Sequence, residues 1–324
     1  LPTFGGWILA NFLSGVLLLP AVWSHRRRTI AERVRTAIES VSSCRSRSPS
    51  WASARSSSPS TRRRKNSSPT ARTSGAANGY WEELPSGLFD ESDLLLPSQK
   101  FLVPFYTFAG GVAYDPARFP DGKHPKTFAD YFNPEAFPGR RTLRTRAMET
   151  LEIALLGDGV APADLYPLDV DRAFRVLEKI KPHVAKWVEA TPQTVTLLQT
   201  GEADFSYTYA NRIQASNRDQ GVKLGFSFDQ NLNGVEYLAI LKNAPNKENA
   251  IKFLSFAMKP EYQASCMEAK GGAPISRKAY SLLKPESLEW LPKLDAKNNA
   301  YINDAWWSTR LEPLERRFKE WLLG

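Results

Sequence analysis

Few side chains in this 324-residue sequence are spaced to make or break a covalent bond. Its three histidines, His25, His124 and His183, have no cysteine or serine beside them in a nucleophile setting. His25 borders a basic run, His124 precedes Pro125 in a loop, and His183 follows Pro182 on an expected helix. The two cysteines, Cys44 and Cys266, make neither a disulfide framework nor a zinc spacing. There is no phosphate-binding GxxxxGK[ST] loop and no GxGxxG after a strand. The carboxylate pair Asp169 and Asp171 is explained by capping of a helix. This pattern argues against an enzyme and names no catalytic residue, metal ligand or cofactor. Binding is left. The stretch Gly139 to Arg212 alternates short strands with amphipathic helices and leaves polar and aromatic residues where strands end, which is where open α/β sheets take ligands.

The net charge of +9 suggests a nucleic-acid or membrane partner only if it belongs to the folded part. The first 78 residues hold 13 basic and two acidic residues, so the chain from Gly79 onward carries −2. That first quarter reads differently from the rest. Residues 7 to 23 are an uncharged apolar run, slightly short of the roughly 20 residues of a membrane span. A secretory signal puts its positive charge before such a run, whereas His25-Arg-Arg-Arg28 follows it. As a span it would hold the remainder in the cytoplasm. Thr29 to Ser40 reads as an amphipathic helix on Ile30, Val34 and Ile38. Val41 to Asn78 then holds 13 Ser and seven Arg and cannot bury enough surface to order itself. Three readings stand: a disordered linker, an arginine-serine tract that binds RNA, or an out-of-frame translation. An RNA-binding or membrane-tethered protein acting through this tract is thus one alternative function.

From Tyr80 the patterning is α/β. Phe101 to Phe108 and Val112 to Tyr114 read as two strands around Gly110-Gly111, where either a close backbone approach or a bulge is expected. Thr127-Phe-Ala-Asp130 resembles a capping box opening a short helix. Met148, Leu151, Ile153, Leu155 and Leu156 give a helix with a broad apolar face. Asp169 caps an expected helix from Val170 to Trp187, with Ala173, Val176, Leu177, Ile180 and Val184 on one stripe. Pro192 starts another, Asp204 to Tyr209 alternates as a strand, and Tyr237 to Leu241 reads as a further strand. Asn246 caps Lys247 to Met258, Glu261 to Ala269 stops at Gly271-Gly272, and one aromatic-rich helix is expected from about Asp304 to Leu323. Such alternation predicts α/β layers around mostly parallel sheets.

These residues also carry a resemblance. Pro104-Phe-Tyr-Thr-Phe-Ala-Gly-Gly-Val-Ala-Tyr-Asp-Pro116 looks like a cleft-lining strand that crosses between lobes. Lys126 to Phe132 with Phe137-Pro-Gly-Arg140, Leu197-Leu-Gln-Thr-Gly-Glu-Ala-Asp204, Ala244 to Phe256 and Gly272-Ala-Pro-Ile-Ser276 follow in order. Over about residues 80–324 the chain resembles the solute-binding proteins of bacterial ABC importers, of the spermidine/putrescine-binding type. The resemblance implies a two-lobed type II periplasmic-binding-protein fold with hinge crossovers near Val112–Arg118, Phe228–Glu236 and Ser276–Leu282. It divides the chain into lobe one, residues 79–115 plus 231–279, and lobe two, 116–230 plus 280–324. Residues 1–78 do not match the family's first strands and helix, so lobe one is expected to be incomplete. It implies a periplasmic monomer that captures a small solute and passes it to a membrane permease, with no nucleic acid involved.

The ligand residues implied are few. A cleft for a flexible cation wants aromatic walls and carboxylates at its ends. Glu149 and Glu236 match carboxylate positions of the polyamine binders, and Tyr209 matches an aromatic wall. Tyr106 and Phe108 would face the cleft from lobe one, with Trp306 or Trp307 near a further cleft position. The plain alternatives are a solvated Glu149, a core Tyr209 and tryptophans packed elsewhere. Arg146 departs from the pattern, standing where polyamine binders carry an acid; Arg144 and Arg212 are expected near the cleft too. Guanidinium forks suit carboxylates, so an amino-acid-like or organic-anion ligand is the alternative to a polyamine.

Overall fold

In the computed structural model, which describes residues 79–120 and 122–324, Val103–Tyr114 is one strand of 12 residues, β1, where the sequence reads as two. The apolar run at 7–23, the helix expected at Thr29–Ser40 and the Ser/Arg tract lie outside the described residues. β-Branched and aromatic residues dominate β1, and nearly all of it is buried. Its glycine pair marks a close approach. A Cβ at Gly110 would run into the Tyr207 hydroxyl and the Leu232 carbonyl, and one at Gly111 into Asn231 and the Phe226 ring. The strand irregularity lies elsewhere, between Pro104 and Tyr106.

β1 changes partners on both edges around those glycines. Along one edge Val103–Gly110 pairs with β6 (Leu232–Leu238), and Ala113–Tyr114 then pairs with β5 (Gly225–Phe226). Along the other, Tyr106–Thr107 pairs with β7 (Ala273–Pro274), and Gly110–Tyr114 with β4 (Phe205–Tyr209). With β2 (Arg141–Arg144), β3 (Val184–Val188) and β8 (Ala300–Tyr301), the sheet runs β3-β2-β4-β1-β6-β8. All four pairings of β1 are antiparallel, against the expectation of mostly parallel sheets; β2 with β3 and β4, and β6 with β8, are parallel.

Helices cover both faces of the β3-β2-β4 part. On one face lies α2 (Ala147–Gly157), buried from Ala147 to Leu156, with α3 (Val170–Ile180). Its apolar residues outnumber its polar ones, and Glu149, Thr150 and Glu152 are buried with them. On the other, Val195 and Leu198 of α4 (Thr191–Gln199) and Ile213 of α5 (Ala210–Gln220) pack with Val188 and Phe226. The capping box is present: Thr127 and Asp130 cap α1 (Phe128–Tyr131) reciprocally. Asp169 accepts from the Arg172 N–H and caps α3, which ends at Ile180 rather than Trp187. Pro182 lacks a donor and breaks the helix, and Val184, Trp187 and Val188 pair with β2 instead.

The later helices are α6 (Lys247–Ala257), α7 (Pro260–Lys270), α8 (Arg277–Tyr280) and α9 (Pro285–Leu288). The single C-terminal helix expected is two, α10 (Asp304–Trp307) and α11 (Leu311–Leu323). Proline is tolerated only in a helix's first turn, and Pro313 makes the chain restart at Leu311. No helix among the described residues is long and apolar enough to cross a membrane.

Candidate functional site

A cleft of about 200 Å³ opens where β1 and β6 exchange partners. Tyr106 and Phe108 of β1 and Gly234, Val235 and Glu236 of β6 line one side. Arg146, Met148 and Glu149 come from the start of α2, Tyr209 from the end of β4, and Asn211 and Arg212 from the first turn of α5. Thr191, Ile302 and Asp304 complete the lining. Strand ends and helix starts supply most of these groups, as α/β sheets do.

Glu149 is the centre of the arrangement. It is 3% exposed, and its backbone stands at φ 73°, ψ −43°, outside the helical region inside a nominal helix. For a residue with a Cβ this costs about 1–3 kcal/mol, which persists only where the surroundings over-determine it. Those surroundings are a guanidinium and two phenols. Arg146 Nη2 donates to Glu149 Oε1 at 2.5 Å, and the Tyr209 and Tyr207 hydroxyls donate to Oε2 at 2.7 and 3.1 Å. Arg146 Nη2 also donates to the Tyr209 hydroxyl. Burial raises the pKa of both tyrosines and the adjacent carboxylate raises it further, so both stay protonated donors. Burial opposes the charge on Arg146, but Glu149 outweighs it and its pKa rises. The ion pair is therefore formed inside the protein, with the Arg146 side chain still one-third exposed (33%).

A second arginine stands behind the first. Arg144, 3% exposed, donates from Nη2 to the Glu189 carbonyl at 2.8 Å and to Thr191 Oγ1 at 3.2 Å. Its Nε and Nη1, like Arg146 Nε, are buried without an acceptor among the described residues. Burial lowers the Arg144 pKa. Across the cleft the Tyr106 ring carries Lys270 Nζ 3.5 Å from its centroid, and the Phe108 and Tyr209 rings meet edge to face at 5.4 Å.

Of the residues singled out in the sequence, Glu149, Tyr209, Glu236, Arg146, Tyr106, Phe108 and Arg212 line one cleft. Trp306 and Trp307 do not. Trp307 is fully buried and its Nε1 donates to Glu152 Oε1 at 2.6 Å. Trp306 packs on Tyr166 and Trp307 under Arg310. The first residue of the short helix α10, Asp304, lines the cleft instead. Thr191, Asn211 and Asp304 carry no such signal in the sequence; each lies in the first turn of a helix, and helix starts gather at the ligand face. His124 stacks on Tyr114 at 3.5 Å, away from this lining.

A family model described as bacterial extracellular solute-binding protein matches residues 74–295. A gamma-aminobutyric acid-binding protein of Pseudomonas aeruginosa is 35% identical over 256 residues, covering 76% of this chain and 72% of that protein. The spermidine/putrescine-binding periplasmic protein of Escherichia coli K12 is 24% identical over 191 residues, and the match covers 59% of this chain and 54% of that relative, about half its length. Among solved structures, an ABC transporter substrate-binding protein from Bradyrhizobium japonicum USDA 110 superposes with a TM-score of 0.71 at 34% identity, covering 78% of this chain and 80% of that one.

Proposed function

The chain belongs to the bacterial extracellular solute-binding proteins, which serve ABC importers and are not enzymes, and on that premise we propose that it captures a small ω-amino acid such as 4-aminobutanoate. The observation that carries this reading is the Arg146–Glu149 pair. Its negative charge is already matched within the protein, and its guanidinium lines the cleft. A solute carboxylate finds there a positive charge and the N–H donors that Glu149 and Tyr209 leave over. Glu236, Asp304 and the Phe108 ring also line the cleft, acidic and aromatic groups that suit one ammonium group, while the Tyr106 ring already carries Lys270. The gamma-aminobutyric acid-binding relative supports the same chemistry. A diamine is the second reading, favoured by the count of three cleft carboxylates, Glu149, Glu236 and Asp304, and by the polyamine-binding relatives.

In this reading lobe one comprises residues 79–115 with 231–279, and lobe two 116–230 with 280–324. The change of β1 from β6 at Gly110 to β5 at Ala113, just before that boundary, supports a crossover near Val112–Arg118. The open form takes solute on one lobe, the hinge closes, and the closed monomer docks on its permease from the periplasm. A thermal-shift panel of ω-amino acids, α-amino acids, organic acids and diamines on the full chain tests the class. A ligand at 100 times its Kd adds about 2.7 kcal/mol of stability, enough to raise the melting temperature by several degrees. The reading fails if no ω-amino acid shifts the melt while a diamine does.

A further inference from the structure

We infer that Arg146 decides which end group this cleft accepts: its guanidinium supplies, from the protein itself, the cation that Glu149, Tyr207 and Tyr209 are arranged to hold. The inference deepens the reading of the cleft as the solute site and rests on it. Glu149 is held in a strained backbone conformation that aims one carboxylate at one position. Two phenolic hydroxyls converge on its Oε2, and its other oxygen takes Arg146 Nη2 at 2.5 Å. The same nitrogen donates to Tyr209, so one guanidinium nitrogen fills the position. The side chain that fills it is one-third exposed and lines the cleft. Arg146 thus stands between the buried carboxylate and any solute.

Two consequences follow. The second ammonium of a diamine meets a guanidinium where it needs a carboxylate, and like charges repel in a partly desolvated site. A solute carboxylate in the same place meets N–H donors and a positive charge. Without the guanidinium, the position becomes an ammonium site, with a buried carboxylate already oriented by two hydroxyls and the volume of the lost side chain open in front of it.

Isothermal titration calorimetry on the full chain tests this with 4-aminobutanoate and 1,4-diaminobutane. The variants are R146A, R146M, R146K and the double variant R146M/E149Q. R146A and R146M are expected to bind the amino acid about 100-fold more weakly and the diamine at least about tenfold more tightly than wild type. R146K keeps a cation and gains no diamine binding. The added E149Q removes the gain, because a carboxamide carries no charge to pair with ammonium. Loss of the amino acid without any gain of diamine in both neutral variants, with unchanged far-UV circular dichroism, overturns the inference. So does a gain that survives E149Q. R146M retains the apolar stem and keeps the test alive should R146A fail to fold. Wild-type protein that binds no ω-amino acid refutes the proposed function instead, and a diamine gain in R146M would still support the role of Arg146.

Discussion

Glu149 and Glu152 stand one turn apart on α2, and both are buried, at 3% and 0% exposure. Each takes two hydrogen bonds from neutral donors: Tyr207 and Tyr209 to Glu149, Tyr166 and Trp307 to Glu152. Among the described residues only Glu149 of the two has a cation, Arg146 at 2.5 Å. Glu152 has none, and its Oε2 lacks any partner among the described residues. Burial pushes the Glu152 carboxyl up to about 7, with its two hydrogen bonds only partly opposing this. At Glu152 neutral donors do not offset the cost of burial, whereas Glu149 has a guanidinium in contact. The cation is found at the acid that faces the cleft and not at the acid that ties helices together.

The comparison can be broken at its strongest point first. Glu149→Gln leaves Arg146 without its counter-ion and should cost about 3 kcal/mol, the low end for breaking a buried pair because Arg146 is partly exposed. Urea denaturation reads this, and a loss well under 1 kcal/mol would mean the pair is ornamental. Glu152→Gln should act the opposite way at alkaline pH. The folded-state pKa of Glu152 lies above the unfolded value near 4.5, so the folded protein holds the proton more tightly. Its contribution to stability is full below the unfolded value and is lost as pH rises toward about 7. The variant should therefore be roughly 2 kcal/mol more stable than wild type near pH 8 and gain nothing near pH 4. A parallel pair of stability–pH curves would contradict the account.

Smaller effects sharpen the contrast. Tyr209→Phe removes one hydroxyl from the Glu149 ion pair and should cost about 1.5 kcal/mol, since bonds to charged groups are the stronger kind. It should weaken solute binding as well, readable by calorimetry. Tyr166→Phe removes a donor from Glu152 and should cost about 1 kcal/mol or less at pH 5, where that acid is mostly protonated. Equal losses at the two tyrosines would erase the distinction between a charged and a neutral acceptor.

Local signals made much of the fold legible. The Thr127 capping box, the Asp169 cap, the Pro192 start and the Gly271 stop all act within a few residues, and all stand where the sequence places them. What the sequence hid depends on distant partners. β1 reads as two strands because its glycines break the pattern, yet it is continuous because Tyr207, Leu232, Asn231 and Phe226 close on those glycines. The site divides in the same way. Glu149, Arg146 and Tyr209 stood out by type and position. Trp306 and Trp307 stand outside the lining, on the short helix α10 that the sequence pattern merges with α11. The left-handed backbone of Glu149 has no signature in a run such as Ala147-Met-Glu-Thr-Leu151.

The central claim is that the cleft recognises a carboxylate at Arg146 and an ammonium at the other wall. Calorimetry of the full chain at about pH 7 with 4-aminobutanoate, 1,4-diaminobutane and butanoate, which share one carbon skeleton, tests it most directly. One-to-one binding of 4-aminobutanoate at least about tenfold tighter than either single-charge-type analogue is the expected result. Tightest binding of 1,4-diaminobutane would contradict it.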